Sequence, residues 1–150
     1  MLMFIIANAM LFAHVLTTEQ IPQSIASWVT ELGLSPWMFL LVVNIVLLVA
    51  GAFMEPSAII LILAPILFPI AMQLGIDPIH LGIIMVVNLA LGMITPPFGV
   101  NLFAACTVAK ISYDEIIPPI MPYVAVVVAC LAVITFVPEI SLWLRDLVYR

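Results

Sequence analysis

Two clusters of glycine, proline and polar residues interrupt an otherwise apolar chain, and its chemistry could lie in these clusters. The first runs from Gly51 to Ser57 and the second from Gly92 to Asn101. If such a chain lies in lipid, unwound backbone is tolerated only where it is buried in protein or lines a water-filled cavity. Carbonyls freed by such a break can bind a hard cation such as sodium, and the N-terminus of a half-helix can bind an anion.

The residue types in these clusters favour oxygen ligands that carry no fixed charge. Thr95 and Ser57 have hydroxyls and Asn101 has an amide, and together with backbone carbonyls these groups could surround a sodium ion. The pair Pro96-Pro97 cannot continue a helix. We therefore interpret the second cluster as a functional break rather than a simple kink.

Polar side chains elsewhere in the apolar runs are candidates for a substrate pathway. Asn44 and Asn88 each lie near the middle of a run, where asparagine serves either as interhelical glue or as part of an ion pathway. Glu55 is either a buried carboxylate that carries an ion or proton, or part of a polar vestibule. Ser57 has no histidine nearby in the sequence, so no nucleophile–base pair is predicted and the chain is not expected to be an enzyme.

The composition places the chain in a membrane. Apolar residues make up 67% of its 150 residues and charged residues only 7%, with a mean hydropathy of +1.40. Soluble domains average about 45–50% apolar and about 25% charged residues, so a soluble globular enzyme is excluded. A net charge of −5 leaves no basic patch for nucleic acid. Cys106 and Cys130 lie in apolar runs without His or Cys companions, so no zinc site is predicted.

The first 32 residues permit two arrangements. Met1–Leu16 reaches about 24 Å as a helix, which is short of the roughly 30 Å hydrocarbon core. This segment is therefore either the tail of a truncated span or an arm that enters the membrane and turns back. Ile21–Leu32 has the spacing of an amphipathic helix, which suits either the membrane interface or the second arm of a re-entrant hairpin.

Residues 36–144 are predicted to form transmembrane and broken helices. Trp37–Met54 is an uninterrupted apolar span apart from Asn44. In the run Ala58–Leu74, Pro65 and Pro69 favour structural kinks. Ile116–Leu144 is long enough to cross the membrane with a tilt. The predicted fold class is thus an all-α multi-pass membrane protein.

Four consecutive segments resemble one family of transport proteins. They are Gly51-Ala-Phe-Met-Glu-Pro56, Ile62-Leu-Ala-Pro-Ile-Leu-Phe-Pro-Ile-Ala71, Gly75-Ile-Asp-Pro-Ile-His-Leu-Gly-Ile-Ile-Met85 and Gly92-Met-Ile-Thr-Pro-Pro-Phe-Gly-Val-Asn-Leu-Phe103. All four are similar to the large membrane subunit of tripartite ATP-independent periplasmic (TRAP) transporters, the DctM-like permeases. The resemblance runs in order through essentially the whole chain, which is far more specific than a match to any one segment.

The resemblance implies one repeat of an inverted-repeat transporter, with a re-entrant hairpin and discontinuous helices. The chain is similar to the C-terminal repeat only, so residues 1–150 would form a single membrane domain that lacks the first repeat. Residues 1–32 would be the hairpin, with Ala13-His14 where the family often has Gly-Trp at the tip. The two breaks would face this tip and bind sodium. The candidate ligands are Gly51, Gly92, Thr95 and Gly99, with Asn101 and Ser57 in support.

The implied function is sodium-coupled import of organic acids, such as C4-dicarboxylates or sialic acid, across the bacterial inner membrane. The implied partners are a small TRAP membrane subunit, a periplasmic substrate-binding protein, the carboxylate substrate and the lipid bilayer. Sodium would be the coupling ion, and no other cofactor or metal is expected. The alternative is a truncated remnant that does not transport and acts only as a membrane interaction subunit.

Overall fold

A computed structural model describes residues 2–31, 33 and 35–148, and within these ranges it contains eight α-helices and no strand. The helices are α1 (Leu2–Thr18), α2 (Ile21–Glu31), α3 (Pro36–Phe53), α4 (Pro56–Gln73), α5 (Pro78–Gly92), α6 (Val100–Ala109), α7 (Tyr113–Phe136) and α8 (Pro138–Val148). Among these, α3, α4 and α7 are long and apolar enough to cross a membrane. The prediction of an all-α multi-pass membrane protein is confirmed. Met1 and Leu32, the end residues of the predicted hairpin, lie outside the described residues.

Three neighbouring helices begin with the same local signal, a side chain that accepts a hydrogen bond followed by proline. Ser35 precedes α3, Glu55 precedes α4 and Asp77 precedes α5. Each side chain accepts a hydrogen bond from a backbone N–H of the first turn, with N···O distances of 3.3, 3.1 and 2.8 Å respectively. Proline suits the first helical position because its missing N–H would have no partner there. The sequence therefore sets these three helix starts locally.

Helices α3 and α5 lie side by side and run in the same direction. Three successive pairs mark their register: Trp37 and His80 line one cavity, Asn44 is hydrogen-bonded to Asn88, and Gly51 packs against Gly92. Helix α4 leads back from the end of α3 to the start of α5, and Leu47, Leu81 and Ile84 in the shared core are 0% exposed. Both glycine-rich breaks consequently lie at the same end of the α3–α5 pair.

Helix α7 runs opposite to α5. Its first residue, Tyr113, contacts the break that follows α5, and near its end the Thr135 carbonyl lies 3.2 Å from Nε2 of His80. The short helix α6 packs on the start of α7, where the Phe103 and Tyr113 rings stack with centroids 4.7 Å apart. The chain therefore leaves the core after α5, passes through α6, and packs against α5 again with α7.

Helices α1 and α2 form a helical pair that packs on α4. They are joined at Glu19–Gln20, where Gln20 has a left-handed φ of 52°. Ala13 and His14 lie inside α1, so the predicted tip position at these residues was wrong. Because the turn lies at the end of the polar run Thr17–Gln20, polarity located the turn better than similarity to the family did. Whether this pair re-enters the membrane stays a prediction.

The helices continue further into the predicted breaks than expected. Only Met54 and Glu55 separate α3 from α4, so most of the Gly51–Ser57 cluster is helical. Helix α4 also continues through Pro65 and Pro69. A proline removes one backbone donor, and neighbouring helices can accommodate the freed carbonyl without ending the helix.

The long run that was predicted from Ile116 to Leu144 is two helices rather than one. Helix α7 begins earlier, at Tyr113, and ends at Phe136. Val137 leaves the helical conformation, and Pro138 starts α8. The residue before a proline is disfavoured in the α conformation, which accounts for a boundary at this point.

An ion pair holds α8 to the start of α5. The Arg145 guanidinium donates to Asp77, which also caps α5, and to Asp146 at 2.8–2.9 Å. The Arg145 and Asp77 side chains are 33% and 29% exposed. The hydrogen bond from Arg145 lowers the pKa of Asp77 below its usual range. The carboxylate therefore stays charged, and the pair stays intact, well into the acid range.

We expect Asp77→Asn to lower the stability of the protein at neutral pH by about 0.2–1 kcal/mol, as for other partly exposed pairs. Asparagine still caps a helix, so the change isolates the ion pair. Because the folded-state pKa is lowered, the stabilisation is present above the unfolded pKa and is lost as the pH falls through the folded value. Thermal unfolding midpoints of the variant and the parent should converge as the pH falls below the folded-state pKa of Asp77. A constant difference at all pH values would contradict this assignment.

Candidate functional site

The two breaks meet through a contact between glycine backbones. A Cβ added at Gly92 would lie 2.5 Å from the Gly51 carbonyl carbon and 2.7 Å from the Gly51 Cα. A Cβ at Gly51 would lie 3.2 Å from the Leu89 Cα. Both glycines are buried. Small residues let membrane helices approach this closely. The structural role of Gly51 and Gly92 is therefore to let the two breaks come together.

Aromatic packing continues the contact beyond the glycines. Phe53, the last residue of α3, packs against Phe98 in the second break with ring centroids 4.9 Å apart. The two breaks therefore lie next to each other. That both of them face the turn between α1 and α2 stays a prediction.

The non-helical segment of the second break runs from residue 93 to residue 99, and it is folded on itself. The Thr95 N–H donates to the Gly92 carbonyl at 3.0 Å, and the Asn101 N–H donates to the Met93 carbonyl at 3.1 Å. In the described part of the chain, the carbonyls of Ile94, Thr95 and Pro96 accept no hydrogen bond. These oxygens are available as ligands for a cation.

The Thr95 side chain leaves its oxygen free to act as a ligand. Its hydroxyl donates to the Leu91 carbonyl at 2.7 Å, and the residue is half-buried. Since that bond uses the hydroxyl proton, the lone pairs of Oγ1 can still face a cation. Thr95 thus combines a free carbonyl with a fixed hydroxyl oxygen in one residue.

Gly99 is needed for the backbone turn that starts α6. It has a φ of 47° and is buried, and an added Cβ would lie 3.0 Å from Leu102 and 3.2 Å from the Thr95 carbonyl oxygen. The position is both strained for other residues and closely packed. Gly99 therefore shapes the loop around Thr95.

Two further polar candidates have local partners or face outward. Ser57 is exposed, and its hydroxyl donates to Oε1 of Glu55 at 2.7 Å. That bond lowers the pKa of Glu55 below its usual range, so this carboxylate is ionised at neutral pH. Asn101 lies exposed in the first turn of α6. The structure thus brings Gly51 and Gly92 into contact and places Thr95 and Gly99 together in the loop that follows Gly92. Ser57 instead donates to Glu55 in the first turn of α4.

Tyr113 is a residue of this region that the sequence interpretation missed. Its hydroxyl lies 2.9 Å from the Pro97 carbonyl and 3.2 Å from the Phe98 carbonyl. The only signal in the sequence was an aromatic residue at a segment end, which is equally typical of a residue at the membrane interface.

Asn44 and Asn88 form a hydrogen-bonded pair between α3 and α5. The Asn88 amide donates to Oδ1 of Asn44 at 2.5 Å and to the Ile84 carbonyl at 3.1 Å. Asn44 in turn donates to Oγ1 of Thr135 in α7 at 3.2 Å. This geometry fits interhelical glue, because one polar network links three helices.

The same network borders a cavity of about 210 Å³. Asn88 is 0% exposed, and its Oδ1 is buried without a partner among the described residues. His80 is 2% exposed, and its Nδ1 is likewise buried without a hydrogen-bond partner among the described residues. Since a buried polar atom without a partner is costly, the region has capacity for an additional donor such as water. A role in an ion pathway stays a prediction for Asn44, Asn88 and Glu55.

Comparison with known proteins gives a consistent family. The family model described as "Tripartite ATP-independent periplasmic transporter, DctM component" matches residues 1–140. The chain is 71% identical over 146 residues to the C4-dicarboxylate TRAP transporter large permease protein DctM of Pseudomonas aeruginosa, with 97% of this chain and 34% of that protein covered. Proteins of the same name are 55% identical in Vibrio cholerae (98% and 32% covered) and 50% identical in Rhodobacter capsulatus (98% and 33% covered). The chain spans about a third of the length of these curated relatives.

Proposed function

The chain belongs to the DctM component family of tripartite ATP-independent periplasmic transporters, and we propose that it forms the sodium-binding part of a permease that imports C4-dicarboxylates. The geometry of the two breaks carries this proposal. The close approach of Gly51 and Gly92 brings the end of α3 against the Thr95 loop, which has free carbonyls and a fixed hydroxyl. Sodium is bound by such neutral oxygens at interrupted membrane helices.

The names of the relatives support C4-dicarboxylates as the proposed substrate class. Three of them, at 50–71% identity, carry C4-dicarboxylate in their names. A dicarboxylate needs hydrogen-bond donors, and the start of α6 has no side-chain cap. Its N-terminus could therefore bind one carboxylate near the cation. The remaining contacts would come from a first repeat, because substrate sites in inverted-repeat transporters lie between the repeats.

The partners and location are proposed from the family. A periplasmic transporter with three components implies a small membrane subunit and a periplasmic substrate-binding protein beside the large permease. Three helices of span length support insertion in a lipid bilayer, which would be the bacterial inner membrane. In this arrangement α1 and α2 would be the re-entrant hairpin that covers the sodium site.

Uptake in proteoliposomes tests the proposal directly. The native gene product that carries this chain is reconstituted with its membrane partner, and binding protein loaded with radiolabelled succinate is added outside. We expect uptake only with an inward sodium gradient, and no uptake with potassium instead. Uptake without sodium would refute the coupling. Assembly with the partner but no uptake under any condition would favour the membrane interaction subunit.

We expect Thr95→Val to weaken the apparent sodium affinity of uptake about tenfold, equal to about 1.4 kcal/mol. Valine has the same shape as threonine but offers no oxygen, so the loop keeps its packing and loses one ligand. Thr107→Val is the matched control, because Thr107 makes the same bond to the carbonyl four residues earlier (2.9 Å) on exposed α6. Thr95→Ser should restore most of the affinity. An unchanged sodium dependence in Thr95→Val would remove Thr95 from the site.

A further inference from the structure

Helix α8 has three distinct sides around its circumference. Successive residues of an α-helix are about 100° apart, so Ile140, Trp143 and Leu147 project on one side. They are 48%, 60% and 67% exposed. Apolar side chains thus form an outward row on a helix of 11 residues.

The protein-facing side of α8 is the opposite one, and it carries two polar residues beside half-buried Pro138 and Leu142. Arg145 pairs there with Asp77, and Ser141 has a buried hydroxyl. A surface helix in water would place its apolar side inward and its charge outward. Helix α8 instead exposes its large apolar residues Ile140, Trp143 and Leu147 and pairs its arginine with the protein, so its outward side is adapted to an apolar environment.

Two carboxylates lie between these sides and limit what can cover the apolar row. Glu139 and Asp146 are exposed and project next to Trp143 on the helix surface. A protein interface over the row would desolvate Glu139 and the Arg145–Asp146 pair, and removing charged groups from water is costly. Acyl chains on one side with water above would leave both carboxylates hydrated. The arrangement therefore favours a lipid surface over a protein partner.

The position of α8 along the chain agrees with the membrane interface. Helix α7 has 24 residues, which extend about 36 Å and exceed the roughly 30 Å hydrocarbon core. Its end at Phe136 thus reaches an interface, and α8 follows after Val137. Tryptophan is enriched at this depth.

We propose that α8 is an interfacial helix that inserts Ile140, Trp143 and Leu147 among the acyl chains of the surrounding lipid, and that the Arg145–Asp77 pair sets which side faces the lipid. Arg145 is the only basic residue in the described part of α8, and both of its carboxylate partners belong to the protein. Recognition is therefore apolar and needs no anionic headgroup. The inference does not depend on sodium coupling.

Spin-label accessibility tests the orientation of α8. Single cysteines carrying nitroxides are placed at the lipid-facing and acidic positions in the native gene product, with its own cysteines replaced and the protein reconstituted in phosphatidylcholine vesicles. We expect Ile140→Cys, Trp143→Cys and Leu147→Cys to be more accessible to oxygen than to a water-soluble nickel chelate. Glu139→Cys and Asp146→Cys should show the reverse order. All five replace exposed side chains, so the fold should tolerate them.

Four other outcomes of this experiment would each contradict part of the proposal. Low accessibility to both reagents at the three apolar positions would mean that protein covers the row. Higher accessibility to the nickel chelate there would place α8 in water. Deeper insertion after addition of phosphatidylglycerol would mean that anionic headgroups are recognised, against the apolar mode. Arg145→Gln should reduce the difference in accessibility between the three apolar and the two acidic positions. An unchanged difference would mean that the ion pair does not set the orientation of α8.

Discussion

Replacing Gly92 with alanine should destabilise the protein by about 1–3 kcal/mol, the usual cost of overpacking a tight contact. The new Cβ would lie 2.5 Å from the Gly51 carbonyl carbon, which is backbone and cannot rotate away. Helices α3 and α5 would have to separate at the point where the two breaks meet. We therefore expect a lower thermal unfolding midpoint of the purified permease together with a loss of sodium-dependent uptake.

The other glycines of these two helices provide graded controls. A Cβ at Gly51 would have its nearest contact at 3.2 Å, so Gly51→Ala should have a smaller effect in the same direction. A Cβ at Gly82, also in α5, would meet only the tip of Phe68 at 4.0 Å. Gly82→Ala should be neutral or stabilising, because alanine favours helix by up to about 1 kcal/mol. Equal effects at Gly92 and Gly82 would show that the backbone contact does not matter.

Local sequence signals predicted much of the helical framework. The pairs Ser35-Pro36, Glu55-Pro56 and Asp77-Pro78 each start a helix, since the cap and the proline act within one turn. The polar pattern and the glycines also located both breaks. Their extent was not predictable, because whether Gly51–Phe53 stays helical depends on the packing of α5 against it.

Contacts between distant residues were the part that sequence reasoning could not supply. Arg145 pairs with Asp77 across 68 positions, and Tyr113 reaches Pro97 across 16. Neither residue type predicts a specific partner, since arginine and aromatic residues near helix ends are common at membrane interfaces. Thr135 was likewise overlooked, although it connects Asn44 in α3 to α7.

The candidate site likewise has features that the sequence predicts and features that depend on the folded structure. Thr95 was identified by its residue type and its place before two prolines. The reason that it can serve a cation is three-dimensional, because its hydroxyl proton is used by Leu91 while its carbonyl stays free. Ser57 was chosen on the same chemical grounds, yet it donates to Glu55 at the start of α4. Residue type thus identifies possible ligands, and the local hydrogen bonds decide which oxygens are still available.

Replacing Asn88 with leucine should distinguish the two roles that its sequence context left open. Leucine has the same branched arrangement of heavy atoms as asparagine but cannot donate to Asn44, so a link between α3 and α5 is lost. Hydrogen bonds between membrane helices contribute about 0.6–2 kcal/mol. If Asn88 is interhelical glue, the thermal unfolding midpoint should fall while the apparent sodium and substrate affinities of the remaining active protein stay unchanged.

Asn8→Leu is the matched control for Asn88→Leu. Within the described residues, Asn8 bonds only to the carbonyl four residues earlier, at 2.8 Å, and it is exposed. It should leave both the midpoint and uptake unaltered. A normal midpoint in Asn88→Leu with a raised Km for substrate or sodium would instead assign Asn88 to the transport pathway. We expect the first outcome, because the Asn88 amide is already committed to Asn44 and Ile84 and only its unpartnered Oδ1 could meet a passing ion.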